Sequence, residues 1–228
     1  MSSVLYVTSD CIGAGKTALC TSIAHKLISL GKTVSIFKPL STETDNRPGE
    51  QSTYGKLMGP APSEWPMILP DNGIEPGIIE KICNIGDQIK GSNDILIVEG
   101  LPTISLEDNN RIIEALDANL LAVVEYKPEL SSSILAEWSK ITKERFLGIV
   151  INKMTIYAST DLNNRVLNDL PKQEVPILGV IPENRTLLGV SVNQLADYLG
   201  GKLTDFGNDS DTLVESLMVG GFWMDAGE

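Results

Sequence analysis

The sequence predicts a three-layer α/β fold with a mostly parallel central sheet. Short continuous apolar runs alternate with segments of helical spacing, the pattern of parallel strands covered on both faces. The polar residues suited to chemistry fall at the carboxyl ends of those runs, where ligands bind in such sheets. The chain has 228 residues, 42% of them hydrophobic, enough for one large domain with a buried core.

Val4 to Val7 is the first expected strand, and it leads into Ser9–Thr17, SDCIGAGKT. Lys16 and Thr17 open an amphipathic helix through Ala18, Leu19, Ile23, Ala24, Leu27 and Ile28. A glycine-containing turn between an apolar strand and a helix, closed by GKT, is the context of a phosphate-binding loop. Backbone N–H groups and the helix N-terminus favour phosphate oxygens there. Lys16 is expected to bridge the β- and γ-phosphates and the Thr17 hydroxyl to ligate magnesium. Gly13, Ala14, Gly15, Lys16, Thr17 and Ala18 are the expected nucleotide-binding residues, and the fold is that expected of P-loop NTPases. The usual pattern has glycine where Asp10 stands; Asp tolerates a left-handed backbone better than most residues. Some P-loop ATPases carry a second lysine near the start of the loop. Cys11 or Ile12 occupies that place, so an ATP-sandwich dimer depending on it is not expected, while a homodimer stays open.

Gly31 ends the helix, and Val34–Phe37 forms a second strand closed by Lys38 and Pro39. Lys38 either brings positive charge to the edge of the phosphate site or is a surface lysine. From Ser41 to Asn72 the chain turns polar and proline-rich, read as a substrate or switch loop around one short helix. Asp45 and Glu50 in this segment either complete a magnesium shell or, the commoner fate, are solvated acids. Helical spacing over 75–90 leads into DILIVEG, a buried strand ending in Glu99. A carboxylate in that place is costly without a partner, and magnesium or its bound water is the natural one; capping the next turn is the plainer alternative.

Strands are expected over 120–126, 146–152 and 177–181, with helices near 107–116, 131–143 and 160–169. Asn152 and Lys153 follow the strand FLGIVIN, where a purine would lie if phosphates sit over Gly13 to Thr17. An Asn side chain can pair with the N6 and N7 edge of adenine, or Asn152 is a turn residue. Guanine-specific GTPases carry an Asp two residues past the lysine, and Thr155 stands there, which favours ATP. Pro182, Glu183 and Asn184 are either the other wall of a base pocket or a turn. His25, the only histidine, is expected to face solvent.

The net charge is −12 with no block of Lys or Arg, which argues against a nucleic-acid or membrane-surface role and for small-molecule or protein partners. Cys11, Cys20 and Cys83 show no CxxC spacing and are odd in number, so neither a disulfide framework nor a zinc site is indicated. No apolar run reaches the roughly 18 residues of a membrane span and no basic leader precedes the first strand, so a cytoplasmic protein is expected. No internal repeat is apparent. Residues 208–211 read as a linker, and the apolar run 213–224 as the start of a further element.

SDCIGAGKT, IFKPL, DILIVEG, GIVINK and VPILGVIPENRTLLGVSVNQLADYLGG together resemble the dethiobiotin synthetase-like P-loop ATPases. The likeness covers about residues 4–202 and is strongest to the version found as the N-terminal domain of some bacterial phosphate acetyltransferases. It implies an ATPase-like domain over 1–203 and a linker with the start of a DRTGG-like element over 204–228. It also implies Lys16, Thr17 and Glu99 around magnesium and triphosphate, Lys38 beside the transferred group and Asn152 at adenine. The expectation is a magnesium-dependent ATP-binding domain, an ATPase or a regulatory module, with an acetyltransferase as candidate partner. The alternative is dethiobiotin synthetase itself, which activates a carbamate of diaminopelargonic acid with ATP. Synthetases usually continue from the strand-ending Glu-Gly into an Ala-Gly-Gly turn. Leu101, Pro102, Thr103 and Ile104 here are bulkier and stiffer.

Overall fold

The computed structural model describes residues 2–42, 66–69, 73–127, 132–155, 175–184, 189–203 and 212–214. Packing divides the chain into two compact units, Met1–Pro182 and Glu183–Glu228. The first carries β1 (Ser3–Ser9), α1 (Lys16–Ser29), β2 (Val34–Phe37), β3 (Leu40–Ser41), β4 (Met67–Ile68) and α2 (Pro76–Lys90). It continues with β5 (Ile95–Glu99), α3 (Leu106–Ala115), β6 (Asn119–Glu125), α4 (Ser132–Thr142), a 3-10 turn (Lys143–Arg145), β7 (Phe146–Met154) and β8 (Ile177–Pro182). The expected strands and the helices near 75–90, 107–116 and 131–143 are present within a residue or two. The helix expected near 160–169 lies outside the described residues.

Six strands form one parallel sheet in the order β2-β5-β1-β6-β7-β8. Alternation along each strand divides its side chains between two faces. Val4, Tyr6, Leu96, Val98, Leu120, Ala122 and Val124 share one core with Ile82 of α2, Ile112 and Ile113 of α3, and Trp138 of α4. Val7, Ile97, Leu121, Val123 and Val150 share the other with Cys20 and Ala24 of α1. This is the expected three-layer arrangement, and it explains why the central strands read as unbroken apolar runs. Parallel strands run from the same end, so every strand-ending polar residue is delivered to one edge of the sheet.

Helix starts follow local chemistry. Pro76 sits in the first turn of α2, where its missing N–H costs nothing. The Ser105 hydroxyl accepts the Asp108 N–H at 3.0 Å and caps α3. The segment read as a loop contributes β4, which pairs in parallel with β3, Leu40 opposite Met67 and Ser41 opposite Ile68.

In the second unit, β9 (Val190–Ser191) pairs antiparallel with β10 (Leu213–Val214). Between them α5 (Val192–Leu199) starts with a capping box in which Ser191 and Gln194 satisfy each other's backbone N–H groups. It ends at Gly200, whose φ of 63° is the left-handed conformation of a helix stop. No helix among the described residues is long and apolar enough to cross a membrane.

Candidate functional site

β1 hands the chain directly to the loop 10–15, and α1 begins at Lys16. Gly13 and Gly15 have φ of 81° and 100°, left-handed values that glycine alone adopts freely. Asp10 has no positive φ, so the turn does not call on its left-handed tolerance. Gly15 precedes α1 with no side-chain cap and no acid in the first turn, the chemistry of a helix head that favours an anion. A Cβ on Gly15 would collide with Asn152 Nδ2. That nitrogen donates to the Ala14 carbonyl at 2.8 Å, so the β7 residue expected at a base holds the loop's backbone.

Lys16 is only 7% exposed, and its Nζ donates to Ser9 Oγ at 2.8 Å. Ser9 in turn donates to the Cys11 carbonyl at 2.7 Å. The Ser9 hydroxyl thus spans the loop mouth, a role sequence reading missed although it is the first residue of the motif. Across the sheet, β5 lies beside β1 with Val7 opposite Glu99. No strand intervenes, so the 3%-exposed Glu99 reaches the loop, its Oε1 accepting from Thr17 Oγ1 at 2.9 Å.

The turn after Glu99 is held from beneath. Gly100 donates its N–H to the Val7 carbonyl at 2.8 Å, and a Cβ there would meet the Tyr6 hydroxyl oxygen and ring carbons at 2.5–2.7 Å. Burial pushes the Tyr6 phenol well up, keeping it protonated to donate to Asn109 Oδ1 at 2.9 Å. The Asn109 amide donates to the Ser105 carbonyl at 2.9 Å. Leu101 and Ile104 both enter the core, so the bulk of this turn is spent on packing.

A second polar group gathers at the ends of β6 and β7 around Glu125, a residue not singled out in the sequence. Glu125 Oε1 accepts from Lys153 Nζ at 3.0 Å and Oε2 from Cys11 Sγ at 3.3 Å. Lys127 Nζ lies 3.6 Å from Oε2 and 3.7 Å from Cys11 Sγ. The Glu125 N–H donates to Asp10 Oδ1 at 3.3 Å. Partial burial opposes ionisation of Glu125, but the hydrogen bonds from Lys153 and Cys11 prevail and hold its carboxyl below the usual range. Burial, the Asp10 charge and the Glu125 hydrogen bond push the Cys11 thiol up to about 11. Glu125 closes LLAVVE as Glu99 closes ILIVE, and that repeated strand-ending acid was the available signal.

Lys38 follows β2 and is half-buried; Phe37 pairs with Val98, which sets Lys38 at the level of Glu99, one strand beyond it from the loop. Pro182 ends β8, exposed at the far edge of the sheet. Ala18 lies exposed in the first turn of α1, as does His25 further along it. Glu183 and Asn184 belong to the second unit. Asp45 and Glu50 lie outside the described residues. Among the described residues, no three His, Cys, Asp or Glu side chains gather to hold a metal. The Thr17 hydroxyl and Glu99 carboxylate are nonetheless hard oxygen donors side by side, the set magnesium takes when phosphates supply its remaining ligands.

A family model described as an AAA domain matches residues 3–191. Phosphate acetyltransferase from Haemophilus influenzae is 24% identical over 91% of this chain and 35% of that protein, so the chain spans about a third of that curated relative's length. Among solved structures, the MinC:MinD cell division protein complex of Aquifex aeolicus matches with a TM-score of 0.51 at 20% identity, covering 82% of this chain and 84% of that one. Cobyrinic acid a,c-diamide synthase from Mycobacterium smegmatis, with bound ADP and magnesium, matches with a TM-score of 0.53 at 18% identity, covering 81% and 88%. At these identities the structural likeness shows the fold alone, that of P-loop NTPases.

Proposed function

The chain belongs to this AAA domain family, a dethiobiotin synthetase-like P-loop group, and from that premise we propose that it is a magnesium-dependent ATP-binding domain acting as an ATPase or regulatory module. The observation that carries the reading is the Thr17–Glu99 contact of 2.9 Å beside an uncapped helix head and a buried lysine. The helix-head amides and Lys16 bind the phosphates, Lys16 exchanging its bond to Ser9 for phosphate oxygens. Thr17 and Glu99 would hold magnesium, which would supply charge neutralisation at the phosphates. The protein's remaining contribution is electrostatic and positional, with no covalent intermediate on the chain. Lys38 stands at the substrate end of the same sheet edge, next to the acid-bearing strand.

Asn152 contributes by fixing the loop through Ala14, and Thr155 in place of an Asp favours ATP over GTP. Likeness to a phosphate acetyltransferase across most of this chain supports a regulatory role in a longer or separate cytoplasmic acetyltransferase. The second reading is dethiobiotin synthetase: Leu101 and Ile104 are buried in the core, so their size is no objection to it. Calorimetric titration with MgATP and MgGTP, followed by phosphate release with and without diaminopelargonate and bicarbonate, tests both. ATP binding with diamine-independent or no release supports the regulatory ATPase. Release only with the diamine makes the chain a synthetase, and a folded protein that binds no ATP refutes both.

A further inference from the structure

We propose that Glu125 is a positioning residue for nucleotide binding that braces the leading limb of the phosphate loop, residues 9–12, from the end of β6. This rests on the loop being an ATP site. The last paired position of β1 with β6 is Ser9 opposite Val123, so beyond it the limb has no ladder to hold it. Its apex is open, with nothing within 4 Å of where a Cβ on Gly13 would lie. What fixes the limb is therefore side-chain chemistry: Ser9 ties it to Lys16 and to the Cys11 carbonyl, and Glu125 ties it to the sheet. The Cys11 thiol donates to the Glu125 carboxylate and the Glu125 backbone N–H donates to the Asp10 carboxylate, so two successive loop residues are tied to one strand end.

The opposite limb is tied by the neighbouring strand. Asn152 holds the Ala14 carbonyl, and Asn152 is the register partner of Glu125. One pair of adjacent residues across β6 and β7 thus anchors both limbs of the loop. Lys153 adopts a left-handed φ of 57°, strained for a lysine, and in that conformation its ammonium meets Glu125. Asp10 and Glu125 would both repel a triphosphate. Lys127 and Lys153 offset them, so the brace adds no net negative charge beside the phosphate site.

The test uses the full chain with Glu125→Ala and Glu125→Gln, reading ATP affinity by calorimetry, thermal midpoint, and the pH profile of Cys11 alkylation by mass spectrometry. Asp10, Glu125 and Lys127 are the charged groups facing that thiol. Removing Glu125 takes away a group that raises the thiol and leaves Lys127, which lowers it, so alkylation should move to lower pH. The expected result is a loss of affinity of about tenfold, typical of residues that orient a binding group from behind. The Gln variant, which keeps an acceptor for the thiol, should lose less, and ATP should protect Cys11 in the wild type. If Glu125→Ala fails to fold, Glu125→Gln carries the test with the same direction expected, and Lys153→Met, which leaves the Cys11–Glu125 bond in place, is read by ATP affinity alone, with a loss expected. Wild-type ATP binding with unchanged affinity in the variants, or an unmoved Cys11 profile, overturns the inference and leaves the ATP reading standing. A folded wild type that binds no ATP removes that reading and the inference with it.

Discussion

Gly15→Ala should be destabilising through two separable effects. Holding alanine at a φ of 100° costs about 1–3 kcal/mol, because its Cβ crowds the backbone in that region. The same Cβ collides with Asn152 Nδ2 and expels it from the Ala14 carbonyl, a further loss of about 1 kcal/mol. Together these come to about 2–4 kcal/mol. Asn152→Ala alone removes the hydrogen bond without the strain and should cost about 1 kcal/mol. In the double variant the hydrogen bond can be lost only once and no collision remains. Its cost should therefore fall short of the summed single costs by about 1 kcal/mol or more. Urea unfolding of the four proteins measures the cycle. Additivity within about 0.5 kcal/mol would show that Gly15 and Asn152 do not meet as the structure has them, and the account of the loop's trailing limb would fail.

Lys16→Ala should leave the fold intact and remove about 2–5 kcal/mol of ATP affinity, taking binding below calorimetric detection; wild-type affinity in this variant would sink the phosphate-loop reading. Glu99→Gln should weaken the dependence of ATP binding on magnesium more than the affinity without the metal, measured by titration in magnesium and in EDTA. Asp94 accepts the Thr33 N–H and hydroxyl at 2.9 and 3.0 Å, and these bonds hold its carboxyl below the usual range. A lowered folded pKa stabilises above the unfolded carboxylate pKa, and that contribution is lost as pH falls through the folded value. Asp94→Asn should therefore flatten the acid side of the stability profile; identical slopes for variant and wild type in urea melts against pH would contradict this.

Much of the sheet was legible because parallel strands buried on both faces must be apolar throughout. Runs such as ILIV before Glu99 and LLAVV before Glu125 have few other readings. SDCIGAGKT was legible for a related reason, since a strand, glycines and a helix opening with Lys-Thr leave little choice of local geometry. The two-residue β3–β4 pairing escaped because it depends on segments 27 residues apart in sequence meeting at Leu40 and Met67, with no periodicity to announce it. The turn after Glu99 was read by size as a feature of the substrate side. Burial of Leu101 and Ile104 depends on what lies beneath them, which no local pattern reveals.

Fold class, the place of the phosphate loop and the family all follow from the order of the amino acids, because backbone periodicity and loop chemistry are local and written residue by residue. Strand order, by contrast, comes from how the whole chain packs. Placing β5 directly beside β1 gives Thr17 its 2.9 Å contact with Glu99, and placing β6 and β7 on the other side brings Glu125 and Asn152 to the two limbs of the loop. Those contacts join residues more than 80 positions apart. They exist because a parallel sheet delivers every strand end to one edge, and which ends become neighbours is settled by packing of the whole chain.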